Sequence, residues 1–246
     1  MSKYQLPEIQ ELYAVKTLRE IGYITRAQQI AEVVLTSVIK KIRVGISEVA
    51  LVRFIVAQLK KHGVKALAFE PIVAFGKGSA DIHHWATRTR LEKNQIVMFD
   101  FGATWQGYCS DMSRTFFFGK PNAKFQRVYQ AVLTAQERSL RLLQSGERHA
   151  DKIDSTARSF LNKKFGAKCF LHGLGHGIGT AIHEWPSLKP KSTDVLKSGM
   201  VVTLEPGVYL KGWGGVRIED MVLITVQGAY NLTKAPKDLS GILLRP

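Results

Sequence analysis

The sequence predicts a mixed α/β fold of two pseudo-symmetric halves that share one curved antiparallel sheet flanked by helices. Two observations lead to this fold class. Segments with apolar residues at helical spacing precede short apolar runs rich in β-branched and aromatic residues. The same order occurs a second time within the 246 residues, and no linker rich in proline, glycine and serine separates the halves. We therefore expect one core and a single domain over residues 1–246.

The first half is predicted to form three helices and then three strands. Apolar residues recur at helical spacing over residues 8–21, 26–42 and 47–62. Gly45 separates the last two helices, and Ser47 is the predicted cap of the third. The runs EPIVAFG, NQIVMFDFG and SRTFFFG are typical of strands that end in glycine turns.

The second half repeats this order. Helices are predicted over residues 125–144 and 150–165, on either side of Gly146, and the strand runs are SGMVVTLEPGVYL and GGVRIEDMVLITVQG. The segment VVLTSVIKKIRVG, which ends at Gly45, aligns with AVLTAQERSLRLLQSG, which ends at Gly146, if a few residues are inserted. This similarity indicates an internal repeat.

Composition restricts the classes of partner. The net charge of +15 would attract polyanions, but the cations are scattered along amphipathic helices without a helix-turn-helix, finger or RNP-type motif. We therefore expect no specific nucleic-acid site. The sequence has no apolar run long enough for a signal peptide or a membrane span, which predicts a cytoplasmic protein without a membrane partner, as a monomer or homodimer. Cys109 and Cys169 lack paired spacing and are expected to be buried thiols.

Four carboxylates lie in runs that should be apolar. Asp100 and Glu205 each end a predicted strand run. Asp111 and Glu219 each lie in the run that follows. A buried carboxylate costs several kcal/mol unless it is paired, protonated or bound to metal. Arg217 alone cannot balance four such charges, whereas two divalent ions can, with His176 adding one nitrogen ligand. The pattern therefore predicts a dinuclear site for Mn²⁺, Co²⁺, Fe²⁺ or Zn²⁺.

The stretch HGLGHGIGTAIHEWP places His172, His176 and His183 among glycines. A polar, flexible turn is the alternative interpretation of this composition. The stretch contains neither the HExxH of a zinc-binding helix nor a GxGxxG loop, and the chain has no GxSxG nucleophile turn.

Together with FDFGATWQGYCSDMSRT, TLEPGVY and GGVRIED, this stretch resembles the metal-dependent aminopeptidases of the pita-bread fold. That clan includes methionine aminopeptidase, aminopeptidase P and prolidase, and the motifs are similar to those of the Xaa-Pro branch from about Thr25 onward. The resemblance implies the pita-bread fold and cleavage of the bond before proline, in peptides with proline at the second position. It also implies two divalent ions, with Mn²⁺ ranked before Co²⁺, Zn²⁺ and Fe²⁺.

The resemblance also assigns metal ligands. Asp100 and Asp111 correspond to ligands of one ion, and His176 and Glu205 to ligands of the other. Asp111 and Glu219 correspond to the bridging carboxylates.

Further roles follow from the same resemblance. His83, His172, His183 and Arg217 correspond to catalytic and substrate-binding residues. His183 is expected to stabilise the oxyanion and Glu205 to carry a proton to the leaving nitrogen, while Arg217 could pair with a proline carboxylate. The neighbouring His84 is expected to be a surface or supporting residue. Glu184 is expected to be a carboxylate within a helix or behind the ligands and not a catalyst.

Two departures and two alternatives accompany this interpretation. Only a short extension, residues 1–24, is expected before the catalytic domain, where the larger relatives carry an N-terminal domain. Just before His83, Asp81 and Ile82 stand where the family often has apolar residues and proline.

Methionine aminopeptidase is the first alternative function: the length of the chain favours it, but that branch lacks the GGVRIED signature. A non-catalytic pita-bread protein with a basic surface is the second, although all five ligands are present.

Overall fold

Helices flank the strands in the computed structural model, which describes residues 6–245. The five helices are α1 Leu6–Ala14, α2 Leu18–Ile39, α3 Glu48–Lys61, α4 Ala123–Gln144 and α5 Ala150–Phe165. Ser47 caps α3 as predicted, because its hydroxyl accepts a hydrogen bond from the Ala50 N–H. No helix within residues 6–245 combines the length and apolar character that a bilayer span requires.

The predicted break between the first two helices is wrong. We predicted a gap between residues 21 and 26, but α2 runs through it and the chain breaks at residues 15–17 instead. Thr17 and Glu20 form a capping box there, in which each side chain accepts the other residue's N–H. Local hydrogen bonding at Thr17 therefore sets the start of α2. The predicted start of the catalytic domain, near residue 24, lies within this helix.

The strands of the described chain are short. They are β1 Ile72–Phe75, β2 Gln95–Asp100, β3 Thr104–Trp105, β4 Tyr108–Cys109, β5 Ser113–Phe118, β6 Gly175–Gly177, β7 Glu184–Leu188, β8 Val201–Leu204, β9 Gly207–Leu210, β10 Gly214–Arg217, β11 Asp220–Thr225, β12 Gly228–Asn231 and β13 Leu243–Leu244. The predicted runs correspond to β1, β2 and β5 in the first half and to β8–β11 in the second.

The strands pair mainly antiparallel, with the helices preceding each set. Three strands of the first half and the C-terminal strand β13, which pairs parallel with β5, form a sheet in the order β1-β2-β5-β13. The second half forms a sheet in the order β12-β11-β8-β6-β7. Two short hairpins, β3–β4 and β9–β10, accompany them. The duplicated arrangement confirms the predicted fold class, although pairing is interrupted where the halves meet. There the Glu219 N–H donates to the Ser113 carbonyl at 3.1 Å.

Both halves contribute to one apolar core. Phe99 and Phe116 of the first half belong to the same buried cluster as Leu204 and Ile224 of the second. Burial of each such side chain stabilises the fold by roughly 1.5–3 kcal/mol. The two cysteines are buried free thiols, as predicted.

Strand pairing brings the carboxylates to one place. Asp100 is the last residue of β2 and lies opposite Ser113, the first residue of β5. In the other half Leu204 lies opposite Asp220. Glu205, which follows β8, and Glu219, which precedes β11, therefore lie at the same end of the β8–β11 pair. The equivalent ends of the two halves therefore carry the acidic residues.

Candidate metal centre

All five predicted metal ligands line one cleft of ≈ 810 Å³. Asp111, His176 and Glu219 each place one ligand atom within 4.8 Å of the others. His176 Nε2 lies 3.7 Å from Asp111 Oδ2 and 3.5 Å from Glu205 Oε1. Residues from both halves thus surround a common point.

Backbone contacts orient His176. Its Nδ1–H donates to the Gly177 carbonyl at 3.0 Å, which leaves the Nε2 lone pair directed at the carboxylates. Burial lowers the pKa of His176 to about 4, so the ring is neutral and can act as a ligand. The flanking glycines permit this strand: a Cβ at Gly175 would lie 1.9 Å from the Thr203 carbonyl oxygen, and one at Gly177 would lie 2.3 Å from that of Trp185.

The carboxylates resist ionisation in each other's presence. Burial, and then the charges of neighbouring carboxylates, raise the pKa values of Asp111 and Glu219 well above their ordinary range. Burial raises the pKa of Glu205 to about 8. A cation bound among them would remove this repulsion.

The residues present fit a divalent cation. Asp100 Oδ1 and Asp111 Oδ1 are buried and accept no hydrogen bond from the described residues, 6–245. Such oxygens are costly to bury unless a cation or a donor compensates them. Carboxylate oxygens with one imidazole nitrogen suit Mn²⁺, Co²⁺, Fe²⁺ or Zn²⁺.

Arg217 is buried and already engaged. Its Nε donates to Ser113 Oγ at 2.7 Å, one terminal nitrogen donates to the Tyr209 hydroxyl at 3.0 Å, and the other pairs with Asp100. Ser113 Oγ in turn donates to Glu219 Oε2 at 2.9 Å. These contacts favour a role in holding Asp100 and Glu219 over the predicted contact with a substrate carboxylate.

His172 lies on the other side of Tyr209. The Tyr209 hydroxyl and His172 Nε2 are 2.7 Å apart, and His172 Nδ1–H donates to the Gly173 carbonyl at 2.8 Å. Burial lowers the pKa of His172 to about 3 and raises that of Tyr209 to about 12. The neutral ring therefore accepts a hydrogen bond from the Tyr209 hydroxyl, and the hydroxyl oxygen accepts one from Arg217.

The loop that carries His183 is tied to the N-terminal segment. His183 is exposed in the cleft, and its ring centroid lies 4.3 Å from that of His176. Glu184 supports this loop, because its Oε1 accepts the Ala181 N–H at 3.0 Å while its Oε2 pairs with Lys16 Nζ at 2.6 Å. The Lys16 side chain is only 3% exposed, so this ion pair is largely shielded from water.

A second anchor holds the loop of His83, which is exposed and lines the cleft. The neighbouring His84 Nε2 lies 3.0 Å from Glu48 Oε2. Glu48 is buried and also accepts the N–H groups of Phe75 and Thr87, each at 2.8 Å. His84 therefore contacts Glu48 and is not among the residues that line the cleft.

Sequence reasoning missed the polar residues that orient the site: Lys16, Glu48, Ser113 and Tyr209. Only Ser113 and Tyr209 carried a signal, because both lie inside the quoted motifs FDFGATWQGYCSDMSRT and TLEPGVY.

The metal-free protein is expected to lose stability as the pH rises from about 7 to 8. Glu205 has a folded pKa of about 8 against an ordinary 4.5, so the folded state holds a proton that the unfolded state has released. The free energy of unfolding therefore falls by up to about 1.4 kcal/mol per pH unit for each such proton. His172 and His176 do not oppose this trend, because above about pH 7 both are mostly neutral in either state.

Thermal unfolding in a chelator at pH 7 and pH 8 measures this effect. Saturating Mn²⁺ should abolish or reverse the trend, because the ion binds the deprotonated carboxylates. A midpoint that stays constant or rises with pH in the chelator would contradict the assignment of raised pKa values.

Comparison with known proteins extends over nearly the whole chain. Residues 22–226 match the family model of metallopeptidase family M24. A Xaa-Pro dipeptidase of Pyrococcus furiosus is 40% identical over 231 residues, which are 94% of this chain and 66% of that protein.

Solved structures give the same result. The X-Pro aminopeptidase of Thermotoga maritima superposes with a TM-score of 0.91 at 33% identity, over 98% of this chain and 67% of that one. The prolidase of Pyrococcus furiosus superposes with a TM-score of 0.88 at 39% identity, over 94% of this chain and 68% of that one. These superpositions confirm the expected pita-bread fold. The chain spans about two thirds of the length of the relatives it matches.

Proposed function

Since the chain belongs to metallopeptidase family M24, we propose that it is a dinuclear-metal-dependent exopeptidase that hydrolyses the peptide bond before proline. The observation that carries this proposal is the convergence of Asp111, His176 and Glu219 within 4.8 Å, in a cleft that Asp100 and Glu205 also line. The names of the relatives, Xaa-Pro dipeptidase and X-Pro aminopeptidase, support the substrate class.

The two alternatives have less support. The relatives at 33–40% identity described above are named for Xaa-Pro substrates, which favours that branch over methionine aminopeptidase. A binding protein on this fold would not need a complete ligand set, and here all five ligand residues line one cleft.

We propose that two divalent ions bind, with Mn²⁺ first and Co²⁺, Zn²⁺ or Fe²⁺ as alternatives. Asp100 and Asp111 would hold one ion, His176 and Glu205 the other, and Asp111 and Glu219 would bridge them. Bound there, the ions would supply a nucleophilic water and polarise the scissile carbonyl. The buried oxygens without donors and the oxygen-rich ligand set support this assignment.

The chain's own residues would perform the remaining steps. His183, exposed beside His176, is placed to donate an N–H to the developing oxyanion. Glu205 would receive a proton on its carboxylate and pass it to the proline nitrogen that leaves. His83 and His172 would contact substrate, and Arg217 would act by holding Asp100 and Tyr209 in place.

The proposal extends to partners and location. Substrates would be peptides with proline at the second position, without a specific nucleic-acid or membrane partner. The lack of a helix-turn-helix, finger or RNP-type motif in the sequence supports the proposal that no nucleic acid is bound specifically. A cytoplasmic monomer or homodimer is proposed, and the two free buried cysteines support a reducing compartment.

A panel of peptides tests the function. We expect Mn²⁺-reconstituted protein to hydrolyse Xaa-Pro dipeptides or Xaa-Pro-Xaa tripeptides, while the matched Xaa-Ala peptides are cleaved much more slowly. Release of the N-terminal residue, followed by chromatography, gives kcat/KM for each peptide. Faster cleavage of Met-Ala-Xaa peptides would move the protein to the methionine branch. Absence of hydrolysis by protein with two bound ions would favour the binding protein.

A further inference from the structure

The cleft presents a charge problem for a short peptide. Five carboxylates line it, namely Asp100, Asp111, Glu184, Glu205 and Glu219. These carboxylates are compensated by the proposed ions and by Lys16, so the C-terminal carboxylate of a dipeptide adds a further negative charge that a free cation nearby would offset. Among the described residues, the lysine and arginine side chains that line the cleft are those of Arg217 and Lys189.

Arg217 is poorly placed to meet that carboxylate. It is 3% exposed, and its guanidinium already donates to Ser113, Tyr209 and Asp100. A substrate carboxylate at Arg217 would have to compete with Asp100. Lys189 has no such commitment: within residues 6–245 the lysines that form ion pairs are Lys16, Lys152, Lys197 and Lys237.

Strand geometry directs Lys189 into the cleft. Side chains alternate along β7, so that Trp185 and Ser187 line the cleft while Pro186 and Leu188 are buried. Lys189 follows in the same alternation, is exposed, and lines the cleft as well.

The neighbouring residues place this row beside the reacting groups. Ser187 lies opposite His176 in the β6–β7 pair. The Cβ of Lys189 lies 3.2 Å from where a Cβ on Gly173 would be, and Gly173 directly follows His172. The Lys189 side chain therefore starts at the wall that holds the site histidines, and its flexible stem gives the ammonium group access to the cleft.

We propose that Lys189 binds the C-terminal carboxylate of short substrates and thereby determines specificity for peptides that end at or near the proline. This inference rests on the proposed function, since it names the group that would recognise one end of the same substrate. Ser187, on the same face of β7, offers a hydroxyl donor beside it.

The test compares an acid with its amide. Wild type, Lys189→Met and the control Lys191→Met are assayed with an Xaa-Pro dipeptide and with the corresponding Xaa-Pro amide, which lacks the negative charge. Lys191 is exposed and does not line the cleft, so it matches the charge change without the position. For Lys189→Met we expect KM for the dipeptide to rise by roughly fivefold, as for loss of one exposed ion pair, with kcat unchanged.

The same variant should leave KM for the amide within about twofold of wild type, and Lys189→Arg should restore KM for the dipeptide. If Lys189→Met changed KM equally for the dipeptide and the amide, or changed neither, the proposed role of Lys189 would be wrong. Cleavage of these peptides by wild type would still support the proposed function in that case. Cleavage by wild type of Xaa-Pro-Xaa tripeptides alone would also overturn the role of Lys189, whereas failure to cleave the dipeptide, the amide and the tripeptide would refute the proposed function itself.

Discussion

Glu219→Gln should remove most of the bound metal and lower kcat by about a thousandfold, and Asp111→Asn should do the same. Both side chains are proposed bridges, and their ligand atoms lie within 4.8 Å of each other and of His176. The amide keeps the size of the side chain but loses the charge and one ligand oxygen, so the two cations would face each other with one bridging charge fewer. Loss of metal stabilisation of the transition state costs several kcal/mol, which corresponds to that rate change.

Metal analysis after dialysis against Mn²⁺, together with turnover of an Xaa-Pro peptide, measures both effects. Glu137→Gln is the matched control, because Glu137 lies on the surface of α4 and pairs only loosely with Arg141, at 3.7 Å. It should bind two ions per chain and turn over normally. If Glu219→Gln and Asp111→Asn also retained two ions and near-normal kcat, the assignment of the bridges would be wrong.

The acidic residues were predictable because each breaks a local rule at an equivalent point of two similar halves. Asp100 ends the apolar strand β2, and Glu205 directly follows the apolar strand β8. A carboxylate in such a place needs compensation, and the repetition of the pattern indicates a shared cation. Local sequence therefore pointed to most of the proposed ligand set.

The residues that orient those ligands were not predictable from local sequence. The Ser113 hydroxyl and Glu219 are 106 positions apart, and Lys16 and Glu184 are 168 apart. Hydrogen bonds of this kind appear only when the two halves have packed together. Strand β6 was also not predictable from local sequence, because its residues, GHG, include no β-branched side chain. It forms a strand because its glycines let the backbones of the neighbouring strands approach closely.

Removal of the His183 ring should affect the chemistry and leave the metal in place. We expect His183→Ala to lower kcat by roughly a hundredfold or more while the protein still binds two ions, because the loss of one oxyanion donor costs about 3 kcal/mol. The ring is exposed in the cleft and packs edge-on against His176 at 4.3 Å between centroids, so it contacts a ligand without being one of the five assigned. Glu184 and Lys16 should keep the loop in position when the ring is removed, because their ion pair does not involve His183.

Single-turnover kinetics and metal analysis of the same preparation separate the two possible roles of His183. A fall in the chemical rate at constant metal content supports donation to the oxyanion, whereas loss of one ion would identify His183 as a ligand and refute the proposed role. His62→Ala is a suitable control, because His62 is an exposed residue at the end of α3 and does not line the cleft. It should leave both quantities unchanged, so any effect of His183→Ala would come from its place in the cleft and not from loss of an imidazole in general.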